Sequence, residues 1–272
     1  MTLRHHLATL FLMLGAVAAS PAAAATPVSE IVVDAGTGRT LYAAQATRRR
    51  PPASLTKMMT LLLTFEAIDA GKLRLDGSIT MSRRAARQAP SKLGLAAGRT
   101  IGVRAAMRTV AVISANDVAV ALAERIAGSE PAFVRAMNRR ARQLGMTGTR
   151  FDNASGLGPT GGMTTARDMA TLARYIVRSH PARYTMFAAR SIRWDGRTRP
   201  NHNRLLGRVR GVDGVKTGYT VPAGYNLAAS SRRGGRRVIV VVLGARTAEA
   251  RDLLVSNLLE SGFSSPRVRR GR

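Results

Sequence analysis

Cysteine is absent from this sequence. That excludes a disulfide framework, a thiolate metal site and a cysteine nucleophile. Histidine is scarce too. Beyond residue 25 only His180 and His202 remain, so a zinc centre has too few ligands and a histidine-based triad has little to draw on. No G-x-S-x-G elbow and no G-x-x-x-x-G-K-[ST] loop occurs, which removes the usual α/β-hydrolase nucleophile and a phosphate-cradling loop. Aromatic residues are few, with six Phe and one Trp. The arginines are spread along the chain, so the stacking platforms and compact basic stripes of nucleic-acid binders are missing. The chemistry, if catalytic, runs without any of these, and no cofactor is called for.

Acidic residues are also in short supply, with 15 Asp and Glu against 43 Lys and Arg and a formal net charge of +28. A solvated arginine-rich surface is the simplest reading; attraction to anionic polymers of the cell envelope is the specific one. Only four of the basic residues are lysines, Lys57, Lys72, Lys92 and Lys216. The distinction matters, because a buried lysine can become a neutral amine and an arginine cannot.

The first 25 residues have the pattern of an export signal. Arg4 precedes an apolar run from Leu7 to Ala19, and Ala22 to Ala25 offers small residues for cleavage. The run falls short of the roughly 20 residues that a membrane-spanning helix needs. No later stretch is long and apolar enough to span, so the expected location is the periplasm, with no membrane span after signal removal.

The remaining chain divides into 26–263, a single folded domain, and 264–272, a short basic tail. The segments 30–34 and 40–44 read as a strand pair around a Gly36-Thr37-Gly38 turn. From Ser54 an almost wholly apolar helical pattern runs to Gly71 and predicts a buried helix. Further helices are predicted over 103–112, 117–126, 131–144, 165–178 and 247–259. Strands are predicted over 212–217, 226–230 and, from its β-branched content, 237–243. Strands at both chain ends with helices between them imply an α+β fold with one shared sheet and a mainly helical lobe.

Three short motifs carry chemistry. Ser54-Leu55-Thr56-Lys57 places a hydroxyl and an amine at i and i+3, on one face of a helix. A desolvated lysine there could activate the serine; alternatively Ser54 caps the helix and Lys57 reaches to water. Ser114-Ala115-Asn116 precedes Asp117, and by itself resembles a capping box. Lys216-Thr217-Gly218 ends a predicted strand and could be a plain surface turn. Residue frequencies give roughly 0.25, 0.4 and 0.03 chance occurrences of the three, so their joint appearance in this order is specific.

The triple S-x-x-K, S-x-N, K-T-G resembles that of β-lactamases and penicillin-binding proteins. Around it, R-P-P-A-S-L-T-K-M-M-T, S-A-N-D-V-A-V-A-L-A-E, G-M-T-G-T-R-F-D-N-A-S-G-L, T-T-A-R-D-M-A, N-H-N-R-L-L and G-V-D-G-V-K-T-G-Y-T look like the serine D-alanyl-D-alanine carboxypeptidases. The resemblance implies a β-lactamase/transpeptidase-like fold, with peptidoglycan stem peptides and β-lactams as ligands. It implies Ser54 as nucleophile, Lys57 as base and Ser114 as proton relay. Lys216 would tune the field, Asn116 would hold the stem peptide and fix Lys57, and Gly218 would let the substrate backbone approach. Thr217 would bind the terminal carboxylate, with Arg251 as first and Arg246 as second partner. The amides of Ser54 and Tyr219 would form the oxyanion hole.

Two departures stand out. Ala115 occupies a place where many relatives have glycine, and the resemblance stops near residue 262, so the second β-rich domain and C-terminal anchor of many relatives are expected to be missing. Three rivals follow: an endopeptidase acting on cross-links, a class A β-lactamase, and a non-catalytic cationic wall-binding protein. The β-lactamase needs a further glutamate, and between Ser114 and Lys216 only Glu124 and Glu130 occur.

Overall fold

The computed structural model describes residues 27–158 and 162–266. The export signal expected over 1–25 and residues 267–272 of the expected tail lie outside these residues. In chain order the elements are β1 Ser29–Asp34, β2 Thr40–Ala44, a single 3-10 turn Ala53–Leu55, α1 Thr56–Asp69, β3 Ser78–Thr80, α2 Arg83–Ala86 and β4 Thr100–Gly102. Then come α3 Val103–Val112, α4 Asn116–Ala127, α5 Glu130–Gln143, α6 Ala166–Ser179 and α7 Pro181–Tyr184. The C-terminal part holds β5 Ser191–Trp194, β6 Arg197–Pro200, β7 Val212–Thr220, β8 Gly224–Arg233, β9 Arg236–Ala245 and α8 Ala248–Ser264.

Both chain ends build one antiparallel sheet in the order β2-β1-β9-β8-β7. Ile31 of β1 is registered against Val241 of β9, which places the first strand beside the last. Side chains on β9 alternate, so Val238, Val240 and Val242 face one way with Val255 and Leu259 of α8. Ile239, Val241 and Leu243 face the other way, into the core that holds α1 and α6. Two faces in need of cover explain why the strand reads as a continuous apolar run.

Helix α1 is the axis of the helical lobe. Met58, Met59, Leu61, Leu62 and Phe65 are fully buried, each worth roughly 1.5–3 kcal/mol of transfer free energy. Packed by α3, α4, α5 and α6, the helix is buried over most of its length and reaches solvent mainly toward its C-terminal end, at Glu66 and Asp69, which is why its sequence is mainly apolar.

Two differences from the sequence reading have clear causes. Residues 191–200 form a hairpin over Asp195-Gly196, both at positive φ; its arginines conceal the apolar alternation that marks a strand. Helix α8 continues past Leu259 to Ser264, because Phe263 packs under the Arg233 guanidinium, 4.4 Å from ring centre, and Arg236 bonds the Phe263 and Ser265 carbonyls. Among the described residues no helix is long and apolar enough to cross a membrane.

Candidate active site

Ser54 sits in the 3-10 turn that leads into α1, half-buried at the base of a cleft of about 850 Å³. Lys57, one helical turn on, has no exposed surface. Its Nζ is hydrogen-bonded to Ser54 Oγ at 2.9 Å and donates to the Ser155 carbonyl at 2.6 Å. The capping alternative fails, since no side chain caps this helix start. The snorkelling alternative fails with it. Burial first, and then the nearby Lys216 charge, push the Lys57 ammonium well below its ordinary 10.5, while Asp117 pulls the other way.

The Ser155 carbonyl is held rigidly. Thr60 Oγ1 donates to the Ala154 carbonyl, the buried Glu130 carboxylate accepts from the Ala154 amide, and Asn153 Oδ1 accepts from the Ser155 and Gly156 amides. Gly156 lies at φ +77, and a Cβ on it would collide with the Ala53 carbonyl. Ala53 itself is at φ +49, a conformation that costs a non-glycine residue about 1–3 kcal/mol. Such strain concentrates where a site is over-determined by its surroundings, and here it sets the residue next to Ser54.

Ser114 and Asn116 come from the junction of α3 and α4. Ser114 is 3% exposed, has φ +62, and its Oγ has no hydrogen-bond partner among the described residues. It does not cap α4, whose N-cap position is Ala115 and which has no side-chain cap bond. Asn116 Nδ2 donates to the Ala89 carbonyl at 2.8 Å, and its buried Oδ1 has no partner. Asn116 was expected to fix Lys57; among the described residues the Lys57 amine bonds instead to Ser54 Oγ and the Ser155 carbonyl, and Asn116 Oδ1 stays unpaired.

Strand β7 closes the opposite wall. Lys216 is 2% exposed and donates to the Thr217 carbonyl. Burial and then the Arg251 charge bring its ammonium down to about 7. Thr217, Gly218 and Tyr219 line the cleft. Gly218 runs directly against the nucleophile turn: an added Cβ would lie 3.0 Å from the Ser54 amide nitrogen and from the Pro52 carbonyl. Asn226 of β8 fastens the same turn by donating to the Pro51 and Pro52 carbonyls. Tyr219 stacks on Tyr225, ring centres 4.3 Å apart. Arg251, from the first turns of α8, is buried, bonds Asp252 and reaches the cleft. Arg246 is exposed and is not part of the lining.

Several lining residues had no role assigned from sequence. Among them are Arg190, Arg208, Tyr225 and His202, the last inside the N-H-N-R-L-L run. The His202 imidazole is pushed down to about 4, by loss of hydration first and then by the charges of Lys216, Lys57, Arg199 and Arg251. Among the described residues no carboxylate lines the cleft. Glu130 is buried against Ala154 and Arg84, and Glu124 is likewise outside the lining.

The model of the D-alanyl-D-alanine carboxypeptidase family, Peptidase S11, matches residues 16–247. The chain belongs to this family. It is 38% identical over 240 residues to the D-alanyl-D-alanine carboxypeptidase DacF of Bacillus subtilis, covering 87% of this chain and 62% of that one. The chain thus spans under two thirds of the length of that carboxypeptidase. Among solved structures, penicillin binding protein 6B of Escherichia coli is 39% identical with a TM-score of 0.82, covering 87% of this chain and 77% of the other. Penicillin-binding protein D2 of Listeria monocytogenes in its cefotaxime-bound form is 34% identical with a TM-score of 0.79, covering 87% of this chain and 96% of the other. The antiparallel sheet flanked by helices and the likeness to these solved penicillin-binding proteins agree with the α+β, transpeptidase-like expectation.

Proposed function

We propose that this chain is an exported serine D,D-peptidase that trims peptidoglycan stem peptides ending in D-alanyl-D-alanine and is acylated by β-lactams at Ser54. The observation that carries the reading is the buried Lys57 amine, 2.9 Å from a serine hydroxyl and depressed in basicity by its surroundings. The Listeria relative solved with cefotaxime supports the β-lactam part. The proposed site is the periplasm, by the signal-like segment 1–25.

In the proposed mechanism neutral Lys57 takes the Ser54 proton as Oγ attacks the scissile carbonyl. Negative charge on that oxygen is met by the amides of Ser54 and Tyr219, one such donor being worth roughly 3 kcal/mol in barrier. Ser114 relays the proton that Lys57 took from Ser54 on to the departing D-alanine amine, which returns Lys57 to its neutral form, and Asn116 Oδ1 takes a substrate amide. Both carry buried polar atoms with no protein partner, a state that costs roughly 1–3 kcal/mol each unless a ligand satisfies them. Thr217 and Arg251 receive the terminal carboxylate, and the Lys216 ammonium holds the local field positive. Water then hydrolyses the ester. The cleft has no lining carboxylate to drive that last step on a penicilloyl adduct, which argues for a long-lived adduct and against a class A β-lactamase.

Intact mass spectrometry after incubation with penicillin tests the reading. A stable adduct, absent in Ser54→Ala, is expected; no adduct on the unmodified protein would favour a non-catalytic wall-binding role. Digestion of peptidoglycan fragments then separates loss of one alanine from conversion of dimers to monomers.

A further inference from the structure

Strand β7 carries Lys216, Thr217 and Gly218, yet it starts out of step with its neighbour. Val212 is registered against Ser231 of β8 and Gly214 against Ser230, so Asp213 is an extra residue, the mark of a β-bulge. From Gly214 the pairing then runs regularly to Thr220. Side chains on a strand alternate, so one residue more or fewer at this point turns every later side chain to the opposite face. The bulge thereby decides which way Lys216 and Thr217 point.

The extra residue is clamped from two sides. Arg237 of β9 reaches past β8 and donates to the Asp213 carboxylate through Nη1 to Oδ1 and Nη2 to Oδ2, each at 2.7 Å. The same Nη1 donates to Ser230 Oγ at 2.6 Å. Tyr184 of α7, 5% exposed, donates its hydroxyl to Asp213 Oδ1 at 2.9 Å, and the Arg237 guanidinium lies 5.2 Å from its ring centre. Burial first, and then the Asp213 charge, push that hydroxyl above its ordinary 10.0, so it stays a donor. Gly214 fits beneath: a Cβ on it would collide with the Tyr184 hydroxyl, and its carbonyl accepts from the buried Asn203 Nδ2 at 3.1 Å. Asp213, Tyr184 and Arg237 are all outside the cleft lining.

We infer that Asp213, clamped by Arg237 and Tyr184, is a positioning residue that holds the bulge in place and so aims Lys216 and Thr217 at the substrate. This rests on the peptidase reading given above. A bidentate guanidinium fixes both carboxylate oxygens, and with them the direction of the residue as well as its place. The Tyr184 hydroxyl ties the same group to a third element, outside the sheet. Without the carboxylate the bulge is free to straighten or to migrate along the strand. A displacement of about 1 Å carried to the reacting groups is enough to cost roughly a hundredfold in rate.

Two readouts test this: acylation by labelled penicillin, and cleavage of a D-alanyl-D-alanine peptide beside the same peptide with its terminal carboxylate amidated. Asp213→Ala is expected to slow acylation at least tenfold per folded molecule. It should also bring the preference for the free carboxylate down toward one, as Thr217 leaves its place; a loss of folded protein alone does not move that ratio. Asp213→Asn keeps one acceptor oxygen and should fall between the alanine variant and the parent. Tyr184→Phe removes a single hydroxyl from a packed ring and should shift both readouts the same way by a smaller factor, so the test stands even if Asp213→Ala fails to fold. Leu259→Ala, which opens a cavity under α8 in the other core, lowers stability without touching the clamp and should leave the ratio alone. Asp213 and Tyr184 variants that acylate within threefold of the parent, or that keep the full carboxylate preference, overturn the inference. So does a Leu259→Ala protein that loses the preference. An unmodified chain with neither labelling nor cleavage sinks the peptidase reading and this inference with it, whereas an active parent with an unmoved ratio in the variants sinks the clamp alone.

Discussion

Lys57 and Ser155, 98 positions apart in the chain, meet in a 2.6 Å hydrogen bond from the amine to the backbone carbonyl. The bond fixes the direction of the amine and leaves it aimed at Ser54. Its geometry depends on Gly156, the one residue type that fits against the Ala53 carbonyl at that φ. Gly156→Ala is expected to destabilise the protein by about 2–4 kcal/mol through collision and backbone strain. Penicillin acylation should slow by more than the unfolded fraction explains; denaturant midpoints and stopped-flow acylation measured on the same sample check both.

Replacing Lys57 with methionine, which is close to it in size, removes the base and keeps the packing. Acylation by penicillin is expected to fall by roughly 10²–10⁴, the usual worth of a positioned base. The thermal midpoint should hold or rise, because a buried amine is exchanged for an apolar group. An acylation rate within threefold of the parent would remove Lys57 from its proposed role.

Gly218→Ala tests the contact between β7 and the nucleophile turn. A methyl group at 3.0 Å from the Ser54 nitrogen has to push strand and turn apart by a few tenths of an ångström. Since the displacement falls on the cleft and not on the core, the expected loss is at least tenfold in acylation rate with about 1 kcal/mol or less in stability.

Glu130 lies outside the cleft but holds the Ala154 amide and the Arg84 guanidinium. Glu130→Ala strands a buried amide and is expected to cost about 1–3 kcal/mol. Glu130→Gln keeps an acceptor oxygen and should cost clearly less. Urea midpoints of the two variants give the comparison.

Two groups of lowered basicity predict a sign for pH. Lys216 has its basicity lowered from 10.5 to about 7, and His202 from 6.5 to about 4. Each binds fewer protons folded than unfolded within its window. Stability therefore falls with decreasing pH between about 10 and 7 on account of Lys216, and again between 6.5 and 4 on account of His202. Lys216→Met should flatten the first slope and His202→Gln the second. For acylation, the proposed role of Lys57 as a neutral amine predicts an acid limb set by its protonation. The proposed role of the Lys216 ammonium predicts an alkaline limb as it loses its charge near 7, which Lys216→Arg should abolish.

Legibility differed between elements for reasons that can be named. Val103–Val112 was readable residue for residue because an amphipathic pattern lies between clear stops. The strand of Arg236–Ala245 was readable from its β-branched run. The hairpin Ser191–Trp194 and Arg197–Pro200 was not, since its arginines erase the contrast between faces. The motif residues announced themselves, whereas Ser155 acts through a carbonyl, which every residue possesses and no side chain advertises. His202 and Arg190 stood among many polar residues, with nothing in their spacing to tie them to Ser54.

Order along the chain was enough to put a hydroxyl and an amine one helical turn apart, since that distance is set by the helix alone. It was also enough to pair apolar strands at the two ends with helices between. Whether the amine is charged was settled by tertiary structure. Its desolvation, the second lysine facing it and the carbonyl that orients it come from segments about 100 to 160 positions away, brought together by packing on both faces of one sheet.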